Sequence, residues 1–476
     1  MANSRNSPPA EGGGRSSAEV AARGATRRPH GARSTAAADA VDAAVAAALS
    51  AFVVPGSHVA VALSGGIDSM VLLDALTSVA ASHRFTLSAI HVNHGLSPNA
   101  LAWSRFCAEQ CAERAVPLSI HELRLARARG ASLEAQARAA RYACFDAATV
   151  DVIVLAHHAD DQAETMLLQL LRGSGPRGLA AMPAFRAGRP ALLRPFLGLP
   201  RAAIGAYAQA RQLQWITDES NDDTRYKRNL LRNGVAPLLV AEFPGYPLTL
   251  ARAATHQAEA SELLDELAQH DAATAIDALG LDCARLAQLS AARGRNLLRW
   301  YLRGEGLRAP SEARLADLLH QVRTADARMR IVHDGAEIGF HHGHVVVHAP
   351  TPAPFRSEWH GEAEVRLPGG LMRFARTRGT GIAAAKLAQR QVSLRSRAGG
   401  ERIQLVANRP RRALKKMLQD AGFPVWQRAS VPLVFCGEEL VAVPGLGVEL
   451  AYQPGDDEHG WTVDWRPDPH RGARKD

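Results

Sequence analysis

The sequence predicts an α/β fold, a parallel sheet with flanking helices, joined to a mainly helical middle domain and a small α+β carboxy-terminal domain. Three observations predict it. Between residues 59 and 172 short apolar runs alternate with longer helical patterns, the rhythm of strands linked by helical crossovers. After Pro237 long Ala- and Leu-rich stretches take over, with helical rather than strand periodicity. From about Val392 the pattern changes again, to strand-like runs, a basic helix and turn-rich connections.

Taken in order, residues 1–37 hold Pro8, Pro9, three consecutive glycines and scattered arginines without a hydrophobic period, so a disordered tail is expected. Glu11, Glu19 and Asp39 argue against an organellar transit segment there. Residues 38–52 fit a helix that Pro55 and Gly56 terminate. Residues 59–63, 86–92, 117–123 and 150–157 read as strands, with helices over 69–80, 100–114, 132–148 and 161–172 between them. This places a first domain at 38–237. A second, at 238–385, holds helices at 248–270, 290–304 and 311–324 and short β runs at 330–333, 337–340 and 344–348. Asp334-Gly335 between the first two runs is a favourable hairpin turn. A third domain, 386–476, contains a basic helix expected over 410–421.

With 476 residues, 47% of them hydrophobic, the chain can bury sizeable cores. No stretch approaches the roughly 18 uninterrupted apolar residues of a membrane span, so a membrane role is excluded and a cytoplasmic location expected. Cys107, Cys111, Cys144, Cys283 and Cys436 form no C-x-x-C pair, which disfavours both a disulfide framework and a zinc ribbon. The net charge of +9 suits a polyanionic partner.

The run Val59 to Ser69 reads V-A-V-A-L-S-G-G-I-D-S, a buried strand, a Gly-rich loop and an immediate helix start. That order makes an anion site: Gly65 and Gly66 let the main chain approach phosphate oxygens. Ser64 and Ser69 add hydroxyls, and the helix from Ile67 onward directs its unpaired N–H groups to the same point. Asp68 would repel phosphates unless a cation lies between them, which implies Mg2+. There is no Walker lysine. The loop instead resembles the S-G-G-x-D-S loop of the PP-loop (N-type ATP pyrophosphatase, adenine nucleotide α-hydrolase-like) superfamily, whose members split ATP between its α and β phosphates. A purely structural strand-to-helix turn is the alternative.

A second segment, A-H-H-A-D-D-Q-A-E-T over residues 156–165, follows another apolar strand and so lies at the same carboxyl edge of the sheet. Asp161 and Glu164, three apart, share a face of the first helical turn. A cation or a reacting amine would find two carboxylates there; the alternatives are dipole-favoured acidic residues and core histidines.

Placed about ninety residues after the first loop, this segment resembles that of the tRNA(Ile)-lysidine synthetase family. Further agreement comes from His91-Val92-Asn93-His94-Gly95-Leu96, from Glu134, Ala137, Arg138, Arg141 and Tyr142 on one helix, from Arg194-Pro195, from Asp218-Glu219-Ser220-Asn221 and from Arg228-Asn229. The resemblance covers roughly residues 55–460. It implies ATP and Mg2+ at Ser64, Gly65, Gly66, Ile67, Asp68 and Ser69, with the metal at Asp68, and catalytic roles for Asp161, Glu164 and Arg228. It also implies free L-lysine and the CAU-anticodon isoleucine tRNA as partners, and it admits a homodimer. The implied reaction adenylates C2 of the wobble cytidine and then displaces AMP with lysine, changing codon specificity from AUG to AUA. Arg397, Arg402, Arg411, Arg412, Lys415, Lys416, Trp426 and Arg428, in a segment similar to that family's carboxy-terminal domain, suit tRNA binding. A solvated basic helix with Trp426 in a core is the alternative there, and a polar hairpin end is the preferred reading of the His341, His342 and His344 cluster. A PP-loop cytidine thiolase, an ammonia-using synthetase and a non-catalytic nucleotide- or tRNA-binding protein stay open as rival functions.

Overall fold

The computed structural model describes residues 30–123, 133–218, 227–324 and 330–468. The chain divides into two compact units, the first ending at Ser261 and the second beginning at Glu262. Among the described residues no helix is long and apolar enough to cross a membrane.

In the first unit, helix α1 (His30–Phe52) precedes strand β1 (His58–Ala62), helix α2 (Ile67–His83), β2 (Thr86–Asn93), α3 (Ala100–Glu113), β3 (Leu118–Glu122), α4 (Leu133–Asp146), β4 (Val152–Val154) and α5 (Ala159–Leu170). A short α6 (Pro176–Leu179), β5 (Phe185–Arg186), β6 (Ala191–Leu193), α7 (Arg201–Ala210) and α8 (Lys227–Leu230) follow. The sheet order is β3-β2-β1-β4-β6-β5, all pairings parallel except β5 with β6. Alternation along the strands explains the two helical layers. Val59 and Val61 of β1 join a core with Val41, Val45 and Leu49 of α1, Leu72 of α2 and Ile204 of α7. Ala60 between them faces the other side, with Ile90, Ile153, Leu192 and Phe145 of α4.

Two expectations shift here. Helix α1 begins at His30, so residues 30–37 are helical rather than part of a disordered tail, as the Ala-rich run 36–38 favours; residues 1–29 lie outside those described. Strand β4 is confined to Val152–Val154, where its pairing with both β1 and β6 ends.

Helix α9 (Ala236–Glu242) and the long α10 (Tyr246–Ala275) lead toward the second unit. There β7 (Ile276–Asp277), β8 (Gly280–Asp282), α11 (Cys283–Gln288), α12 (Ala291–Gly304), α13 (Glu312–Arg323), β9 (Arg330–His333), β10 (Ala336–His341) and β11 (His344–His348) are built around one core. Helices α11 to α13 cover a sheet of order β7-β8-β11-β10-β9. Asp334 (φ 50°) and Gly335 (φ 82°) make the hairpin turn foreseen between β9 and β10.

The remaining elements are β12 (Arg356–Trp359), β13 (Glu364–Leu367), β14 (Gly370–Arg378), β15 (Ile382–Ala383), α14 (Ala384–Leu387), β16 (Val392–Arg395), β17 (Arg402–Ile403) and β18 (Arg412–Ala413). After them come α15 (Leu414–Asp420), α16 (Val425–Ser430), β19 (Leu433–Cys436), β20 (Glu439–Val443), β21 (Gly447–Val448) and β22 (His459–Pro467). Sheets of order β12-β16-β19-β20-β21 and β13-β14-β22-β15 enclose a core of Trp359, Phe374, Leu394 and Val434. Strand β14 pairs with β22 from Gly370 to Arg378, and β12 pairs with β16. A boundary at 385/386 would therefore cut both sheets; the strand pairing joins residues 356–383 to the carboxy-terminal part. The basic helix starts at Leu414 rather than at 410, because Arg412 and Ala413 pair as a strand with Ile403 and Arg402.

Candidate active site

β1 pairs with β2 on one side and β4 on the other, so the connections leaving β1 and β4 diverge at their carboxyl ends and open a crevice between them. A cavity of about 1200 Å3 occupies that position, lined by Ser64, Asp68, His94, Arg141, Asp161 and Arg228 among others.

The loop after β1 holds its shape through one glycine and two serines. Gly65 has φ 83°, a conformation that favours glycine, and a Cβ there would lie 2.6 Å from Ile216 Cδ1, so that side chain would have to shift. Gly66 is less constrained: it caps α2 at φ −72°, ψ 160°, and its nearest obstacle is Ser64 Oγ at 3.5 Å. The Ile216 amide donates to Gly65 O at 3.0 Å. Ser69 Oγ donates to Gly66 O at 2.9 Å, accepts from the Ser64 amide at 3.2 Å and lies 3.1 Å from Ser64 Oγ. The serines thus brace the loop, while the first-turn amides of α2, from Ile67 on, have no intrahelical partner and point where an anion would sit. Asp68 stands in that turn. Its Oδ1 is buried without a hydrogen-bond partner, and its Oδ2 is 3.7 Å from His158 Nε2.

Beyond β4, the two adjacent histidines take opposite charge states. His157 is pushed down to about 3 by burial, with Arg194 and Arg228 adding to the effect against Asp161. It is therefore neutral, and its Nδ1 accepts from Arg194 Nε at 3.3 Å. His158 is 2% exposed, and burial opposes its charge. Asp160, Asp68 and Asp161 outweigh burial and push it up to about 9, so it is an imidazolium at neutral pH. Its amide donates to Asp161 Oδ2 at 3.1 Å, closing the first turn of α5. Asp160 accepts from the Arg201 amide at 2.9 Å and starts α7. Gln162 binds both the amide and the carbonyl of Met182.

Asp161 and Glu164 do share a face, but the structure fills the place expected for a cation or an amine with two guanidinium groups. Arg228 donates from Nε to Glu164 Oε2 at 2.7 Å and from Nη2 to Asp161 Oδ1 at 3.0 Å. Arg232 donates from Nε to Glu164 Oε1 at 2.7 Å and from Nη2 to Asp161 Oδ1 at 3.1 Å. Burial raises the pKa of Asp161, yet the charges of His158 and Arg228 and the hydrogen bond from the His158 amide more than reverse it and keep the carboxyl ionised. Buried carboxylates need such pairing. Among the described residues, no group of three or more His, Cys, Asp and Glu side chains could hold a metal ion.

Ser64, Gly66, Ile67, Asp68, Ser69, Asp161 and Arg228 line the crevice; Gly65 shapes the loop without lining it, and Glu164 binds the two arginines without lining it. The Glu219-Ser220-Asn221 part of the expected motif lies outside the described residues. Arg232 was not singled out from the sequence; its signal is the four-residue spacing from Arg228 in R-N-L-L-R. Ile216 carried no signal at all, since only its long-range contact with Gly65 reveals it.

The carboxy-terminal candidates divide. Lys415 and Lys416 are exposed on α15. Arg402 donates to the Arg411 carbonyl, Arg411 pairs with buried Glu449 at 3.2 Å, and Arg412 pairs with Asp420 at 2.6 Å. Arg397 turns inward and donates to the Arg428 carbonyl at 2.7 Å, and the Nε atoms of both Arg397 and Arg428 are buried. Trp426 is not an open stacking platform: its ring lies 4.1 Å from His348, at 9°. Arg397 is thus turned inward and Trp426 is covered on one ring face by His348, while Arg428 is half-buried.

Family models match the chain in three stretches: a PP-loop domain over residues 39–239, a TilS substrate binding domain over 281–346 and a TilS substrate C-terminal domain over 392–465. The tRNA(Ile)-lysidine synthase of Nitrosomonas europaea is 43% identical over 431 residues, 88% of this chain and 94% of that protein. The enzyme of the same name from Azoarcus sp. is 42% identical over 417 residues, 87% and 92% of the two chains. Among solved structures, the U34-tRNA thiolase NcsA of Methanococcus maripaludis aligns with a TM-score of 0.42 and 16% identity, over 48% of this chain and 80% of that one.

Proposed function

The chain belongs to the tRNA(Ile)-lysidine synthase family, and we propose that the crevice between β1 and β4 is where it uses ATP to ligate free lysine to C2 of the wobble cytidine of the CAU-anticodon isoleucine tRNA. It is an ATP-dependent ligase forming a carbon–nitrogen bond. The products are lysidine, AMP and pyrophosphate, and the modified tRNA reads AUA in place of AUG.

The observation that carries the site assignment is the facing of the phosphate loop and the Arg228–Asp161–Glu164 group across one cavity. The first-turn amides of α2 receive the phosphates, and Gly65 keeps the loop open for them. Arg228, held by two carboxylates, presents a fixed guanidinium to the α phosphate. Cytidine O2 attacks that phosphorus and pyrophosphate leaves. The neutral ε-amine of lysine then attacks C2 and AMP leaves, which requires lysine to give up a proton, since its reference pKa is ~10.4. Asp161 and Glu164 act as positioning residues by holding the arginines.

Mg2+ fits this site through one residue: the unpartnered, buried Oδ1 of Asp68 offers the single carboxylate that such an ion uses beside water and phosphate oxygens. When bound it would neutralise phosphate charge. Lys415 and Lys416 are the basic residues we assign to the tRNA backbone. No helix crosses a membrane among the described residues, and we place the reaction in the cytoplasm.

AMP formation that requires ATP, lysine and the CAU isoleucine tRNA together is the expected result. Sulfur incorporation into the tRNA, or hydrolysis indifferent to lysine, would overturn it.

A further inference from the structure

Around Arg228 the guanidinium groups are matched by carboxylates; around Tyr142, elsewhere on the cavity lining, they are not. Tyr142 and Arg141 of α4 both line the cavity. The guanidinium carbons of Arg138, on the same helix, and of Arg186, on β5, lie over the Tyr142 ring at 5.1 and 5.6 Å from its centroid. Arg138 Nη2 also donates to the Tyr142 hydroxyl at 3.4 Å. Arg194, just after β6, is buried and donates to His157 Nδ1 and to Pro183 O. Arg141 Nε is buried without a hydrogen-bond partner. Among the described residues the one carboxylate within ion-pair distance of these four arginines is Asp146, 4.0 Å from Arg186 Nη2 and itself 65% exposed.

The unmatched charge is felt inside the group. Burial and the neighbouring Arg138 pull the pKa of Arg141 down. Burial does the same to Arg194, and Arg186 and Arg138 add to it. Burial would raise Tyr142, yet Arg138, Arg194 and Arg141 bring it below a free tyrosine. Like charges gathered in this way repel one another, and an anion relieves the repulsion.

The arrangement also fixes where that anion lies. An aromatic ring orients a guanidinium through its quadrupole and leaves the charge intact, whereas a carboxylate would neutralise it. Arg138 and Arg186 are exposed, and neither lines the cavity, so they stand at its edge rather than inside it. The nucleotide phosphates already have the first-turn amides of α2. What remains for the edge is a charged chain, one residue of which reaches into the cavity.

We propose that Arg138 and Arg186 bind the sugar–phosphate backbone of the anticodon loop beside the wobble cytidine, holding the strand while that base enters the crevice. The inference rests on the tRNA-dependent reading above. Planar, permanently charged guanidinium groups suit pairs of phosphodiester oxygens.

The test uses the full chain with Arg138→Ala, Arg186→Ala and Arg186→Lys. Affinity for CAU isoleucine tRNA is measured over a range of salt, and the phosphates shielded by the chain are mapped by alkylation of the bound tRNA. Binding of a fluorescent ATP analogue is followed in parallel. Each alanine variant is expected to reduce the slope of log affinity against log salt by about 0.7, the value for one phosphate of a single strand, and to unshield phosphates of the anticodon loop alone. Affinity for the ATP analogue should stay within about twofold of the unsubstituted chain. Arg186→Lys keeps the charge and should keep the slope. Should an alanine variant melt early, Arg138→Gln or Arg186→Gln, which retains the stem without the charge, is read by the same criterion. An unchanged slope in either position, unshielding only outside the anticodon loop, or an equal loss of the ATP analogue would overturn the assignment. An unsubstituted chain that forms no AMP with ATP, lysine and this tRNA would instead remove the reading on which it rests.

Discussion

Glu164 receives Arg228 Nε on one carboxylate oxygen and Arg232 Nε on the other, each at 2.7 Å. Glu164 is 4% exposed, so the bridge is the means by which a buried charge exists there at all. Glu164→Gln leaves two guanidinium groups around one carboxylate, Asp161. We expect a loss of about 3 kcal/mol in urea unfolding, together with a fall in lysine incorporation. Retained stability and activity would show that the bridge positions nothing.

The two loop glycines should behave differently. At Gly65 an alanine meets Ile216 and a positive φ, whereas at Gly66 it meets neither. Gly65→Ala should weaken ATP binding by about tenfold or more, and cost about 1–3 kcal/mol of stability. Gly66→Ala should fold normally; titration of ATP into both variants distinguishes them.

Tyr207 connects three helices. Its hydroxyl donates to Asp74 Oδ2 of α2 at 3.0 Å and lies 3.3 Å from Asp42 Oδ1 of α1. Burial, then the charges of Asp74 and Asp42, push its pKa above that of a free tyrosine. A raised folded-state pKa means that the folded chain holds this proton more tightly. The contribution is complete below the unfolded value of about 10 and declines as pH rises beyond it. Denaturation midpoints should therefore drop more steeply above about pH 10 in the unsubstituted chain than in Tyr207→Phe. Parallel curves would exclude the effect.

In the carboxy-terminal part, the basic surface and the tryptophan separate experimentally. Lys415→Ala or Lys416→Ala should lower tRNA affinity and reduce the slope of log affinity against log salt by about 1 for each phosphate left without its lysine. Trp426→Ala removes the ring that stacks on His348 and approaches His341. It should cost about 1 kcal/mol of stability and leave the salt slope unchanged; a changed slope at normal stability would return Trp426 to the tRNA surface.

Much of the candidate active site is legible in the chain because its chemistry is local. The strand, glycines and helix start of the phosphate loop are consecutive, and so are the residues of α5 that carry Asp161 and Glu164. The strand alternation of the parallel sheet follows from the same short-range pattern. Element ends were less legible. Helix α15 begins at Leu414 because Arg412 and Ala413 pair with Ile403 and Arg402 of β17, and strand β14 (Gly370–Arg378) belongs with β22 (His459–Pro467) through a pairing that spans most of the carboxy-terminal part.

Neighbouring residues alone dictate that a nucleotide-binding sheet presents a Gly-Gly loop, an aspartate and a carboxylate pair at one edge, since spacing and backbone preference are properties of adjacent positions. What those carboxylates do is settled by packing across the fold. Asp161 and Glu164 could face a metal, an amine or an arginine with equal local propriety. The choice falls to Arg228 and Arg232, between 64 and 71 positions away, because a charge buried on folding takes whichever opposite charge the packing brings within reach.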